Sequence, residues 1–322
     1  MKKINYLIML FALTSFLGYS QSEHACKASE QNEIYFKKHP ESRVEYQKFN
    51  LFTKKQAKNK LSKKAAVATY TIPVVFHVYG DIQHGKTVTT DKIKVALQKL
   101  NDDFQGLNPD FNTVDSYFNA RKSTLNVEFK LAKLDPYGNC TEGVVYYPEK
   151  SGYGNGGGYD SQIANDAWDN YKYMNVYIQG DLYADGSSTN SGVAWYPNTS
   201  MSNSNTARVV YNGQYLHGNT GDEFASVLTH EFGHFLNLIH TFDGGCTYPN
   251  DEVNDTPPEG ASTTGTSCAP STNCEGNYIN YENYMGYNGA AYGCYKMFTV
   301  GQTNRMLAAL QHPARQSLWQ SQ

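Results

Sequence analysis

The stretch THEFGHFLNLIHT, Thr229–Thr241, constrains this chain more than any other. His230 and His234 stand four residues apart, so on a helix they share one face, about one turn apart. Over a rise of roughly 6 Å, both imidazoles can converge on a single cation. Glu231 lies about 100° round the helix from His230, close enough to reach a water on that cation without binding it. His240 is too far along a straight helix to join the pair, and becomes a third ligand only if the chain turns sharply near Asn237. Three histidines leave an open position for water, which is the layout of a catalytic zinc and not a structural one. The bland alternative is a surface helix that happens to carry two histidines. His240 and a methionine turn at Met285 weigh against it.

Composition sets the outer bounds. A chain of 322 residues with 40% apolar side chains can bury a core, as one large domain or two lobes. A net charge of −3 and a pI near 6.3 give no reason to expect nucleic acid or an anionic membrane as partner. Residues 1–20 read as a secretory signal peptide, with Lys2 and Lys3 ahead of an apolar run that ends at Leu17. That run is too short to span a bilayer comfortably, and no later stretch can, so the expectation is a secreted, soluble protein. Residues 21–68 are rich in Lys, Glu and Gln and read as a propeptide, with a lysine cluster from Lys54 to Lys64 before the compact part, 69–322. The bland reading of this leader is a solvated helical or flexible segment. Cys26 adds a specific possibility, because a thiolate can occupy the open zinc position and hold a zymogen latent.

Residues 70–79 alternate Ile72, Val74, Phe76 and Val78 on one face, which predicts a strand with one buried side. Pro73 places it at a sheet edge or at a strand start. His77, on the other face, reads as a packed or surface histidine and not a ligand. Thr90 is positioned to cap a helix carrying Ile93, Leu97, Leu100 and Phe104. A second strand is expected over Leu125–Leu131, ended by a turn at Asp135-Pro136-Tyr137-Gly138. The glycine-rich run Ser151–Gly158 lacks the Lys-Ser/Thr of a phosphate loop and reads as a flexible surface loop. A helix over 161–171 and strands over 174–179, 193–195 and 208–211 complete the pattern. The 192–197 segment is a candidate for the edge that receives substrate. Thr220 with Glu223 predicts a capping box for the histidine helix, anchored by Phe224, Val227, Leu228, Phe235 and Leu236. The turn to His240 needs a positive φ, which asparagine tolerates next best after glycine.

HEFGHFLNLIH is similar to the HExxHxxGxxH zinc motif of the metzincin peptidases. Together with the block from Cys246 through Asp255-Thr256-Pro257, NYMGY at Asn283–Tyr287, FTVGQTNRM at Phe298–Met306, and IPVVFHVYG near the start, it resembles the pappalysin family, its ulilysin-like secreted members in particular. The resemblance covers roughly 70–310. It implies an α+β, bilobal fold with an upper lobe of twisted mixed sheet and helices and an irregular, disulfide-stapled lower lobe. It implies a zinc endopeptidase acting on proteins or peptides, with His230, His234 and His240 as ligands. Glu231 would be the general base, Met285 the floor beneath the ligands, and Tyr287 the hydroxyl that stabilises the tetrahedral intermediate. This chain departs from the family at Asn237, where glycine is usual, and at Gly286, where an Asp that braces the site is usual.

Six cysteines remain to be placed. Cys246, Cys268, Cys274 and Cys294 cluster round the methionine turn, where two disulfides would staple a region poor in apolar residues. Residue spacing leaves all three pairings open; the resemblance implies Cys246–Cys274 and Cys268–Cys294. Cys26 and Cys140 are left to pair, or Cys26 acts as the latch. Asp251, Glu252, Asp255 and Glu259 crowd one loop, either as a solvated acidic loop or as a calcium site; the resemblance places calcium near Asp251 and Thr256. No Asp or Glu follows Glu282, so an apolar or broad preference is expected on the side of the cleft that takes arginine in some relatives. Two rival classes are a zinc peptidase whose third ligand is Glu259 or Glu275, and an inactive peptidase-like binding protein.

Overall fold

The computed structural model describes residues 26–58, 69–246, 250–260, 269–273, 275–287 and 294–320. The expected signal peptide and residues 59–68, the end of the expected propeptide, lie outside the described residues. The leader is helical: α1 (Ala28–Lys38) and α2 (Pro40–Lys58) meet at His39. Pro40 suits the first position of α2, where no backbone donor is needed. Far from being solvated all round, α1 buries Tyr35 and Phe36, and α2 buries Phe49.

Strand β1 (Tyr70–Tyr79) lies inside a six-stranded sheet. Its partners are β2 (Val127–Leu131), β3 (Val144–Tyr147) and β4 (Met174–Ile178), all parallel to it. The order β2-β1-β4-β6-β5 is completed by β5 (Gly192–Ala194) and β6 (Val209–Tyr211), and β5 alone runs antiparallel. The edge expected from Pro73 is therefore not there. The proline is tolerated because it sits one residue before pairing with β4 begins, at Val74 opposite Met174. Ile72, Val74, Phe76 and Val78 face α3 (Thr90–Gln105) and share one buried cluster with Ile93, Leu97, Leu100 and Phe104. Each such side chain is worth roughly 1.5–3 kcal/mol on burial. The cap of α3 is Thr89, one residue before the expected Thr90, and its hydroxyl accepts from Lys92 N at 3.3 Å.

The opposite face of the sheet is a tyrosine layer. Tyr79, Tyr153 and Tyr177 stack edge and face within it, and Asp166 accepts from the hydroxyls of Tyr79 and Tyr153 at 2.6 Å each. His77 is fully buried there, its Nε2 2.8 Å from Asn175 Oδ1, packed and remote from any cation site. Helix α4 (Asp160–Asp166) is shorter than the 161–171 expected. It stops because the Asn175 amide takes both the N–H and the carbonyl of Trp168, at 2.8 Å each, and pulls the chain out straight.

The histidine helix is split into α5 (Asp222–Ala225) and α6 (Val227–Phe235). The Thr220–Glu223 capping box does not form; the N-cap is Gly221, in extended backbone, and Thr220 lies one residue too early to reach the first turn. Phe224, Val227, Leu228, Phe235 and Leu236 all enter the main core as expected. Helices α7 (Val300–Ala309) and α8 (Pro313–Gln320) close the chain behind the sheet. Between α6 and α7 the described segments hold little regular structure. Cys246 and Cys294 are each disulfide-bonded, while Cys268 and Cys274 lie outside the described residues. The observed architecture, a mixed sheet with helices over an irregular lower part, agrees with the α+β expectation. Among the described residues, no helix is long and apolar enough to cross a membrane.

Candidate metal centre and active site

Helix α6 ends in a tight reversal that decides where His240 goes. Asn237 takes φ 72°, its N–H donates to His234 O at 2.8 Å, and Leu238 N donates to Gly233 O at 2.9 Å. This is the Schellman pattern of a left-handed helix stop, with asparagine where glycine is commonest. The reversal brings the three imidazoles together: His234 Nε2 lies 3.0 Å from His230 Nε2 and 3.1 Å from His240 Nε2. Neither Glu259 nor Glu275 is in the cluster. Cys26 is in it: one ligand atom from each of Cys26, His230, His234 and His240 lies within 4.8 Å of the others. No other such cluster occurs among the described residues.

Protonation follows from the outer nitrogens. His230 Nδ1 faces Tyr284 O at 2.6 Å and His234 Nδ1 faces Leu238 O at 2.8 Å. Carbonyls only accept, so both Nδ1 atoms carry the proton and both Nε2 atoms are bare lone pairs. His240 Nδ1 is 3.1 Å from Asp243 Oδ1, which fixes the same tautomer. Burial, with the neighbouring imidazoles, holds His230 down to about 3 and His234 well below its usual value, so these two rings stay neutral. Three bare nitrogens facing one another at hydrogen-bond distance with no proton between them repel unless a cation sits among them. A tetrahedral ion with nitrogens at about 2.0–2.1 Å sets its ligands near this spacing. The donor set fits zinc.

Glu231 is fully buried, and burial pushes its carboxyl up to about 8, against the pull of a hydrogen bond from Cys26. Cys26 Sγ is 3.5 Å from Glu231 Oε2, and burial, then Glu231, push the thiol well above its ordinary value. Glu231 Oε1 has no protein donor among the described residues. The carboxylate lies against β5 at Gly192, where a Cβ would stand 2.5 Å from Oε1. Met285 is fully buried beneath the helix, and only a glycine at 233 leaves room for its sulfur, since a Cβ there would sit 2.6 Å from Sδ. The Tyr287 hydroxyl donates to the Cys26 backbone carbonyl and lies 3.4 Å from His240 Nε2.

The leader fills the cleft. Asn32 of α1 donates to Ala194 O at 3.0 Å and accepts from Tyr196 N at 3.2 Å, so one side-chain amide satisfies the free edge beyond β5. The glycine-rich run at 151–158 is not a free surface loop. Gly156 N donates to Gln31 Oε1 at 2.8 Å, and a Cβ at Gly156 would stand 2.5 Å from Gln31 O. The bareness of the loop serves close approach of α1. Cys140 is exposed and unpaired, so it does not bridge to Cys26. The acidic loop is not solvated either. Asp251 and Glu259 are buried, and burial pushes them up to about 7 and about 8. Thr256 Oγ1 donates to Asp251 at 2.8 Å, Asp255 accepts from Thr299 Oγ1 and Gly301 N at the start of α7, and Glu252 pairs with Lys54 of α2. Sequence reasoning missed Asp243, Asn32 and Gly192. Only Asp243, three residues beyond His240, left a signal that could have been followed.

Comparison with known proteins agrees with this geometry. A profile of the peptidase family described as pregnancy-associated plasma protein-A matches residues 157–311, which hold all three histidines and Met285. Residues 157–311 thus match the pappalysin family of peptidases. An extracellular metalloprotease of Sordaria macrospora is 34% identical over 146 residues, covering 42% of this chain and 47% of that protein. One from Verticillium alfalfae is 33% identical over 145 residues. The chain thus spans about half the length of the curated relatives it matches. Among solved structures, a Tannerella forsythia promirolysin variant covers 92% of this chain and 97% of its own, at 25% identity and a TM-score of 0.72. Mature mirolysin in complex with a cleaved peptide covers 78% of this chain and 96% of its own, at 28% identity and a TM-score of 0.65.

Proposed function

We propose that this chain is a secreted zinc endopeptidase made as a latent zymogen, hydrolysing peptide bonds in protein or peptide substrates. The convergence of three bare Nε2 atoms beside a buried carboxylate carries this reading. His230, His234 and His240 would hold zinc, which would supply Lewis acidity to lower the pKa of a water towards 7 and to polarise the scissile carbonyl. Glu231 takes that water's proton and passes it to the leaving amine. Its unpartnered Oε1 leaves a lone pair free to accept that proton. Tyr287 donates to the oxygen on which charge grows, as its hydroxyl already donates to a backbone carbonyl beside the imidazoles. Met285 fixes the floor on which His230 and His234 rest. Glu231→Ala is expected to abolish casein hydrolysis while zinc content stays at the parent level; retained proteolysis would end the mechanistic assignment.

Latency rests on residues 21–68 as propeptide and on Cys26 as the fourth donor. A thiol that coordinates zinc would give up its proton outright and bind as the thiolate, whatever burial alone would impose. Two observations support the leader's role: Asn32 covers the edge that an extended substrate would need, and the pro form of mirolysin matches more of this chain than the mature form does. Export through a signal peptide at residues 1–20 accords with relatives named extracellular. Calcium near Asp251 and Thr256 would add countercharge to carboxyl groups that burial raises. Cys246–Cys274 and Cys268–Cys294 stay the proposed staples.

A further inference from the structure

Two buried arginines hold the end of the histidine helix. Arg305 on α7 donates from Nε to Asn237 O at 2.6 Å, and Arg315 on α8 donates from Nε to Phe235 O at 3.0 Å. Their side chains are almost wholly buried, at 2% and 1% exposure, and neither forms a salt bridge among the described residues. Buried charge without a counter-ion is costly. Compensation comes from carbonyls at the negative end of the helix, with Asn50 Oδ1 and the nearby Asp251 acting on Arg305, and Trp195 O and the nearby Glu45 acting on Arg315. The two contacts differ in one respect. Phe235 O belongs to the helix itself, whereas Asn237 O belongs to the left-handed residue on which the approach of His240 depends. The peptide group that Arg305 holds by its oxygen donates from its nitrogen, Leu238 N, to Gly233 O at 2.9 Å. The next carbonyl along, Leu238 O, is the acceptor that orients His234. A residue with φ 72° that is not glycine stays there only if its surroundings hold it.

We infer that Arg305 is a positioning residue for the metal centre: by gripping Asn237 O it sets the reversal that orients His234 and delivers His240. The inference rests on the zinc ligands proposed above. It goes beyond them in assigning the cost of an asparagine at position 237 to a guanidinium 68 residues away. Through Nη2 the same arginine donates to Asn50 Oδ1 of α2 at 2.6 Å, so the leader touches this support as well.

The test is zinc affinity of the full-length chain, measured by chelator competition, for the parent, Arg305→Lys and Arg315→Lys, with melting of the metal-free forms alongside. Lysine keeps the charge but not the planar fork. Arg305→Lys should weaken zinc binding 10- to 100-fold, the usual cost of losing an outer support of a ligand. Arg315→Lys, equally buried but holding a carbonyl two residues before the one that Arg305 grips, should stay within about threefold while lowering the metal-free melting temperature comparably. Arg305→Gln, which retains one donor, should fall between Arg305→Lys and the parent, and serves if the lysine variant does not fold. An Arg305→Lys affinity within threefold of the parent, equal losses in both lysine variants, or failure of both Arg305 variants to fold would each overturn the inference. A parent that binds no zinc would instead overturn the zinc-peptidase reading.

Discussion

At the scale of single residues, the site is set as much by what is small as by what is reactive. Gly192 has no side chain because Glu231 lies across it, with room for nothing beyond a hydrogen. Gly192→Ala is therefore expected to displace the carboxylate and to lower kcat about 100-fold, the cost of a misplacement near 1 Å. KM and zinc content should be little changed, and steady-state kinetics with metal analysis separates these outcomes. The reactive residues were legible because their chemistry imposes spacing: His230, His234 and Glu231 follow helical geometry, and His240 follows from one permitted turn. Gly192 was not legible, because its constraint comes from a residue on another element. Asn32 and Arg305 were hidden for the same reason.

At the scale of elements, the leader and the edge of the sheet form one unit. Helix α1 brings Cys26 to the imidazoles, lays Asn32 on Ala194 and Tyr196, and packs against bare backbone at Gly156. The same device closes the other edge, where the Asn101 amide of α3 donates to Phe129 O at 2.9 Å and accepts from Phe129 N at 2.8 Å. There it is permanent; on β5 the proposed removal of the leader would take it away. Cys26→Ala in the full-length chain is expected to raise basal peptide hydrolysis roughly tenfold, the factor that follows from losing about 1.4 kcal/mol of leader binding. Activity should stay below that of the mature form, since Asn32 still blocks the edge. A silent variant in a fluorogenic peptide assay would count against the latch. Periodicity made β1, α3 and β4 legible, since alternation and helical spacing follow from burying one face. It misjudged the glycine-rich run because composition cannot distinguish a glycine that gives freedom from one that admits a neighbour. It also set the histidine helix one residue early, since a capping pattern states only what a helix start can use.

At the scale of the whole molecule, buried carboxyl groups tilt stability against alkaline pH. Asp103 of α3 is held up to about 7 by burial, partly offset by the hydroxyls of Thr229 and Tyr284; the Thr229 contact is 2.6 Å. An unfolded aspartate has a pKa near 3.9. Between about pH 4 and 7 the folded chain keeps a proton that the unfolded chain has lost, so this group's contribution is full below 4 and declines as pH rises through 7. The effect has a ceiling of roughly 4 kcal/mol. Asp103→Asn should remove that decline, so its stability relative to the parent in urea unfolding should rise between pH 4.5 and 7.5. A constant difference would show that Asp103 ionises normally.

Zinc K-edge absorption of the full-length chain tests the central claim most directly. One zinc per chain is expected, bound by three imidazole nitrogens and one sulfur. Metal-free protein after loading with zinc, or a spectrum with fewer than three imidazoles, would contradict it.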